Sequence, residues 1–201
     1  MLYPLPAVMV SCAREEEKPN IITVAWAGTI CSGPAMVYIS VRPERYSYEI
    51  IRETKEFVIN LTTEDLTWAT DYCGVRSGRD VDKFAETGLT PEKAQHLNYA
   101  PVIEESPVNI ECRVLEIKEL GTHHMFLAEV VGVSVDEAYL DEKGRFDLNR
   151  TGLMAYSHGS YMTLGEACGS FGYSVRRKKR KPESGRRKAQ QKRKAERRNR
   201  K

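Results

Sequence analysis

Apolar and polar positions alternate along this chain in short, closely spaced segments. Residues 7–13 (AVMVSCA) are nearly all apolar and read as a strand. The polar turn REEEKPN follows, and 21–29 (IITVAWAGT) reads as the returning arm of a hairpin. MVYISV (36–41) and FVINLT (57–62) read as further strands. The pattern over 44–54 predicts a helix between them, with Ile50 and Ile51 on its buried side. A helix over 63–73 follows, with Thr63 as N-cap, Glu64 and Asp65 in the first turn and Gly74 as its stop. A shorter helix spans 81–86 and ends near Gly88, and 91–106 reads as loop with one helical turn. In VNIECRV (108–114), Val108, Ile110, Cys112 and Val114 alternate with Asn109, Glu111 and Arg113, the signature of a half-buried antiparallel strand. MFLAEVVGVSV (125–135) is a longer, more apolar strand reached through the tight connection LGTHH. Six or so short strands, two inserted helices and no βαβ alternation predict a β-barrel with helical decoration.

Charge divides the chain. Of its 31 Lys and Arg, 16 lie in 176–201, with only 2 of the 28 Asp and Glu, so the tail carries +14 and residues 1–175 carry −11. The expected organisation is an acidic domain over 1–175 and a basic, disordered tail over 176–201. Such a tail is either a solubilising extension or a non-specific nucleic-acid contact, and it lacks the aromatics that would read bases. Apolar residues make up 41% of the chain, enough for a core, and no apolar run approaches the ~20 residues of a membrane helix. The first ten residues lack a basic n-region, so no signal peptide is read and the cytoplasm is the expected location. The five cysteines are odd in number and none are in CxxC spacing, which fits reduced thiols and predicts no metal site.

The chemistry-bearing candidates are few. No phosphate-binding Gly-rich loop, nucleophile elbow or HExxH motif is present. Residues 25–47 offer another anion solution. Ser40, Arg42 and Ser47 surround a strand-to-helix junction with Arg45 beside them, where a guanidinium fork and backbone N–H groups suit a phosphate. Thr29 and Ser32 suit sugar-like hydroxyls. The ordinary alternative is surface arginines and turn-forming hydroxyls. His123 and His124 stand at a turn where an imidazole donates to a ligand or lies in solvent. Lys83 and Phe84 either cover a flat ligand or form a helix start with an exposed lysine and a buried ring.

Taken in order, NIITVAWAG (20–28), SGPAMVYISVRPERYSYEII (32–51), EFVINL (56–61), DKF and GLT within 82–90, GTHHMFLAEVV (121–131) and the aromatic, Gly- and Ser-containing segment 156–179 resemble the flavin reductase-like, FMN-binding split-barrel family, especially its flavoredoxin-type branch. The resemblance spans residues 1 to about 178 and leaves the basic extension outside. It implies a mainly β, Greek-key split barrel that forms a homodimer with FMN at or near the dimer interface. Asn20, Thr23, Ala25 and Trp26 would then lie along the flavin ring, and Thr29, Cys31 and Ser32 near the ribityl chain or ring edge. Ser40, Arg42 and Ser47 would take the phosphate, supported by Arg45 and Tyr46. Lys83 and Phe84 match the segment over the ligand, and His123 matches the histidine near nicotinamide and flavin. The implied reaction is hydride transfer from NAD(P)H to FMN, with electrons passed onward to an acceptor. The alternatives are a flavoredoxin-like carrier without its own nicotinamide site, and a nucleic-acid-associated protein acting through the tail.

Overall fold

The computed structural model describes residues 2–176, so the tail expected to be disordered lies, from residue 177 on, outside the described residues. Twelve strands and three helices follow in chain order. They are β1 (Leu5–Pro6), β2 (Val8–Cys12), β3 (Asn20–Val24), β4 (Ala27–Ser32), β5 (Ala35–Val41), α1 (Tyr46–Thr54), β6 (Glu56–Leu61), α2 (Thr67–Val75), α3 (Lys83–Thr87), β7 (Pro91–Glu92), β8 (Val102–Ile103), β9 (Val108–Glu119), β10 (His124–Val135), β11 (Met154–Ser157) and β12 (Ser160–Thr163). Seven strands form one antiparallel sheet in the order β3-β2-β6-β9-β10-β5-β4. Its edge strands, β3 and β4, are joined by Ala25 and Trp26 alone. The Ser40 N–H donates to the Trp26 carbonyl at 2.8 Å, which holds this bend against β5. The sheet therefore curls on itself as a split barrel. These elements belong to a compact unit ending at Leu164.

One core fills the inside of the curl, where Val10, Ile39, Ile50, Ile51, Phe57 and Phe126 are all buried. A second core lies where Met9 and Ile21 meet Leu66, Ala69, Cys73 and Phe84 of the α2–α3 region. Strand β2 is thus buried on both faces, which is why its sequence is a continuous apolar run rather than an alternation.

Several expectations change. Residues 21–29 are not one strand: the chain bends at Ala25–Trp26, and β4 pairs with β5 instead of continuing the β2–β3 hairpin. The expected helix over 63–73 is a 3-10 turn (Glu64–Leu66) leading into α2, and Gly74 lies inside it. A Cβ on Gly74 would stand 3.3 Å from the Thr23 Cβ, so the glycine serves close packing rather than termination. Thr63 holds the cap position without a side-chain cap bond. By contrast α3 is capped as its sequence suggests, by Asp82 accepting from the Ala85 N–H and by Gly88 in the left-handed region.

No helical turn forms over 91–106; β7 and β8 pair there instead. In β9 the predicted polar face is not solvated, because Asn109 and Glu111 are buried. The Glu111 carboxylate accepts the backbone N–H groups of Gln95 and His96, and Glu56 accepts those of Asn98 and Tyr99. Residues 95–99 thereby cover a sheet face that β-strand alternation alone leaves open. Residues 156–163 form most of the β11–β12 hairpin, which pairs with β1.

Candidate functional site

Three adjoining cavities share lining residues in succession. The inner one, about 190 Å³, is lined by Thr23, Ala25, Trp26, Ser40, Arg42, Arg45 and His123, with Ile22, Val24 and Val41. Its residues come from the end of β3, the bend, the end of β5 and the turn before β10. Trp26 and His123 pack with ring centroids 4.1 Å apart and planes inclined at 42°, giving the cavity an aromatic wall. Desolvation lowers the pKa of His123, and the Arg42 charge lowers it further, so the neutral ring is favoured. His124 faces another way: its Nδ1 meets the Tyr48 hydroxyl at 2.7 Å.

The middle cavity, about 350 Å³, shares Arg45 and Ile22 with the first. Asn20, Tyr46, Ser47 and Lys83 line it, together with Arg76, Ser77, Gly78 and Arg79 from the loop after α2. Sequence reasoning missed that loop. Its signal was the run RSGR, two arginines around a Ser-Gly pair just past a helix end. A Cβ on Gly78 would lie 2.1 Å from the Asn20 Oδ1, so only glycine lets the loop lie this close.

The charge balance of this cavity is largely positive, with Glu44 its one lining carboxylate. Arg42 pairs with Glu44 at 2.9 Å. Arg79 donates to the Glu44 carbonyl at 3.0 Å and lies 5.5 Å from the Tyr46 ring centre. Arg45 and Arg76 have no ion-pair partner among the described residues. Lys83 is 3% exposed, and its ammonium donates to the Ile21 and Cys73 carbonyls at 2.6 and 2.8 Å. With no carboxylate beside it, burial pushes its pKa down to about 8. A buried cation held only by neutral acceptors, with three guanidinium groups along the same cavity, is chemistry suited to a dianion.

The sequence candidates are therefore brought together unevenly. Asn20, Thr23, Ala25, Trp26, Ser40, Arg42, Arg45, Tyr46, Ser47, Lys83 and His123 line these two cavities. Thr29, Cys31 and Ser32 lie along β4 and line neither, and Phe84 is a core residue, 5% exposed. Lys83 is buried rather than exposed as its bland alternative required. Burial also pushes the Cys73 thiol up to about 11, which makes it a poor nucleophile. Among the described residues no cluster of His, Cys, Asp and Glu is arranged to hold a metal ion, and no helix is long and apolar enough to cross a membrane.

The model of the flavin reductase like domain matches residues 1–165. A flavoredoxin of Desulfovibrio vulgaris (Miyazaki F) superimposes with a TM-score of 0.81 at 32% identity, covering 88% of this chain and 95% of that one. An FMN-binding protein from Thermus thermophilus superimposes with a TM-score of 0.71 at 27% identity, covering 84% and 90%. In sequence, the reductase component of a 4-nitrophenol 4-monooxygenase/4-nitrocatechol 2-monooxygenase from Rhodococcus opacus is 29% identical over 129 residues, 62% of this chain and 63% of that protein.

Proposed function

This chain belongs to the flavin reductase-like family, and from that premise we propose that it is an FMN-dependent oxidoreductase that takes hydride from NAD(P)H and passes electrons onward. One observation carries the reading: a cavity with a buried lysine that has no carboxylate partner and with three arginines shares Arg45 and Ile22 with a cavity walled by the Trp26 and His123 rings. The first suits a phosphate and the second a planar ring. In this reading Lys83, Arg45, Ser47 and the 76–79 loop hold the phosphate, while Thr23, Ala25, Trp26 and Ser40 lie along the ring. FMN supplies the hydride-accepting chemistry when bound. The chain's own work is to orient two flat ligands, exclude water and offer neutral His123 as a hydrogen-bonding group. No nucleophile or strong base is required.

An anaerobic absorption spectrum of the reconstituted protein, before and after NADH and NADPH, tests this. Flavin bands that bleach with either nucleotide are expected; a protein that FMN cannot reconstitute would sink the proposal. The likeness to a flavoredoxin favours a second reading, an electron carrier without its own nicotinamide site. It predicts a yellow protein that only a reduced protein donor bleaches. We further propose a cytoplasmic homodimer. Leu115, Val133 and Val135 of β9 and β10 and Ile30 of β4 are exposed apolar side chains that a second copy would cover, and light scattering in solution reads the mass directly.

A further inference from the structure

His123 stands against Trp26, yet its backbone lies one residue outside β10. The last rung of the ladder at this end is His124, which pairs with Val41 at the end of β5 and with Glu119 at the end of β9. Beyond it the chain turns through exposed Leu120, Gly121 and Thr122, and the Leu120 N–H donates to the His123 carbonyl at 3.1 Å. Strand ends of this kind open at little cost, so His123 needs an anchor. Resting on the hydride transfer read above, we propose that Tyr48 and His124 are positioning residues: the bond between them clamps the start of β10 to α1 and thereby holds His123 in place.

The contact is built from both sides. The Tyr48 hydroxyl meets the His124 Nδ1 at 2.7 Å, and the two rings pack edge-on with centroids 5.3 Å apart. Phe126, two residues on and so on the same face of the strand, packs edge-on against the same tyrosine at 5.4 Å. Tyr48 is 4% exposed, and this nitrogen is its hydroxyl's one hydrogen-bond partner among the described residues. Burial raises the pKa of the phenol, which stays protonated and donates to the imidazole. A buried hydroxyl that loses its acceptor is costly, so the bond resists opening of the hairpin end. It is the one side-chain hydrogen bond between α1 and β10 among the described residues. On the helix side the anchor is firm: Ile50 and Ile51 lie in the core, and Ser47 accepts from the Asn20 amide at 2.7 Å. Successive residues of the first turn thus reach different parts of the site. Tyr46 lines the middle cavity and the outer one of about 390 Å³, Ser47 lines the middle one, and Tyr48 holds the strand that follows His123. Hydride transfer is sensitive to such placement, since a shift of about 1 Å costs up to ~100-fold in rate.

The test is anaerobic stopped-flow reduction of FMN by NADH and NADPH in the full chain and in Tyr48→Phe, which removes the hydroxyl and keeps the ring. The limiting rate at saturating nucleotide should fall about tenfold, while FMN affinity stays within about twofold and the nucleotide KM within about threefold. His124→Leu should lose as much, and the double variant no more than either single change, because both break one bond. A pair that only supports the fold would lower rate and FMN affinity together or leave the rate unchanged. Either result overturns the proposal, as does a multiplicative loss in the double variant. A second readout needs neither flavin nor nucleotide. The Trp26 ring current shifts the NMR signals of the His123 ring protons, which His123→Gln identifies by their loss. That shift should shrink by about half in Tyr48→Phe as the hairpin end opens, and an unchanged shift overturns the proposal. If the parent binds FMN and neither nucleotide reduces it, the hydride-transfer reading falls, and the NMR shift alone decides whether the pair positions His123. Should Tyr48→Phe fail to fold, His124→Leu, at a partly exposed position, carries both measurements.

Discussion

At the scale of single residues, the two arginines of the β5–α1 junction separate. Sequence position ranks Arg42 first, directly after the strand. In the structure Arg42 is engaged with Glu44 and lines only the inner cavity, whereas Arg45 lines both the inner and the cationic cavity. Arg45→Ala should therefore weaken FMN about tenfold or more, the worth of a charge-assisted hydrogen bond, while Arg42→Ala costs about threefold or less. Riboflavin, which has no phosphate, should bind both variants like the parent; equal losses for FMN would contradict the assignment. Lys83 gives a pH signature. Its pKa is about 8 in the folded, ligand-free protein and about 10.4 when unfolded. Between these values the unfolded chain binds more protons, so the penalty of burying the charged lysine, at its full size below pH 8, is relieved and stability rises with pH from 8 to 10. Urea melts should show that rise in the parent and not in Lys83→Met. A bound phosphate favours the charged lysine, so FMN affinity relative to riboflavin should fall as pH rises through the same window.

At the scale of elements, the segment 95–99 is held to the sheet by two buried carboxylates. Glu56 alone accepts from the Asn98 N–H at 2.9 Å, the Asn98 side-chain amide at 3.1 Å and the Tyr99 N–H at 3.0 Å. Glu56→Ala leaves those donors without a partner and should cost about 2–4 kcal/mol. A melting temperature lower by about 5–12 °C is the measurable consequence. Glu56 lines none of the three cavities, so flavin affinity should not move. The same contact explains the limit of pattern reading here. Period-two alternation in β9 pointed to a solvated face at Asn109 and Glu111, and a distant loop covers it. Strand β2 was legible because its continuous apolar run and its burial on both faces agree. The bend at Ala25–Trp26 was not, because no turn residue marks it and only the different partners of β3 and β4 tell them apart. At the site, the strand-to-helix junction carried a local signal in its Ser and Arg residues. The loop 76–79 carried little, since its arginines meet the site only through the packing of Gly78 on Asn20.

At the scale of the whole molecule, charge and fold are unevenly distributed. The family model ends at residue 165, and the strongly basic residues begin at Arg176. Removing residues 176–201 should leave flavin affinity and reduction rate within about twofold. It should abolish any salt-sensitive retention on RNA or heparin, since counterion release scales with the cations removed. Lost flavin reduction in the truncated chain would mean that the tail belongs to the catalytic unit.

The bend at Ala25–Trp26 also bears on how the chain reaches its structure. It joins the two sheet edges through a loop of two residues, so bringing them together costs little chain entropy. The slow closures lie elsewhere, where Val8 must find Leu61 and Val41 must find His124. The β2–β3, β4–β5 and β9–β10 hairpins are local and suited to early formation, on the microsecond scale of such units. Assembly of the barrel then waits on non-local pairing, which places its folding toward the slower range of single domains. The cavities that bind the proposed ligand draw residues from β3, β5 and the turn before β10, so they become complete only after that final pairing.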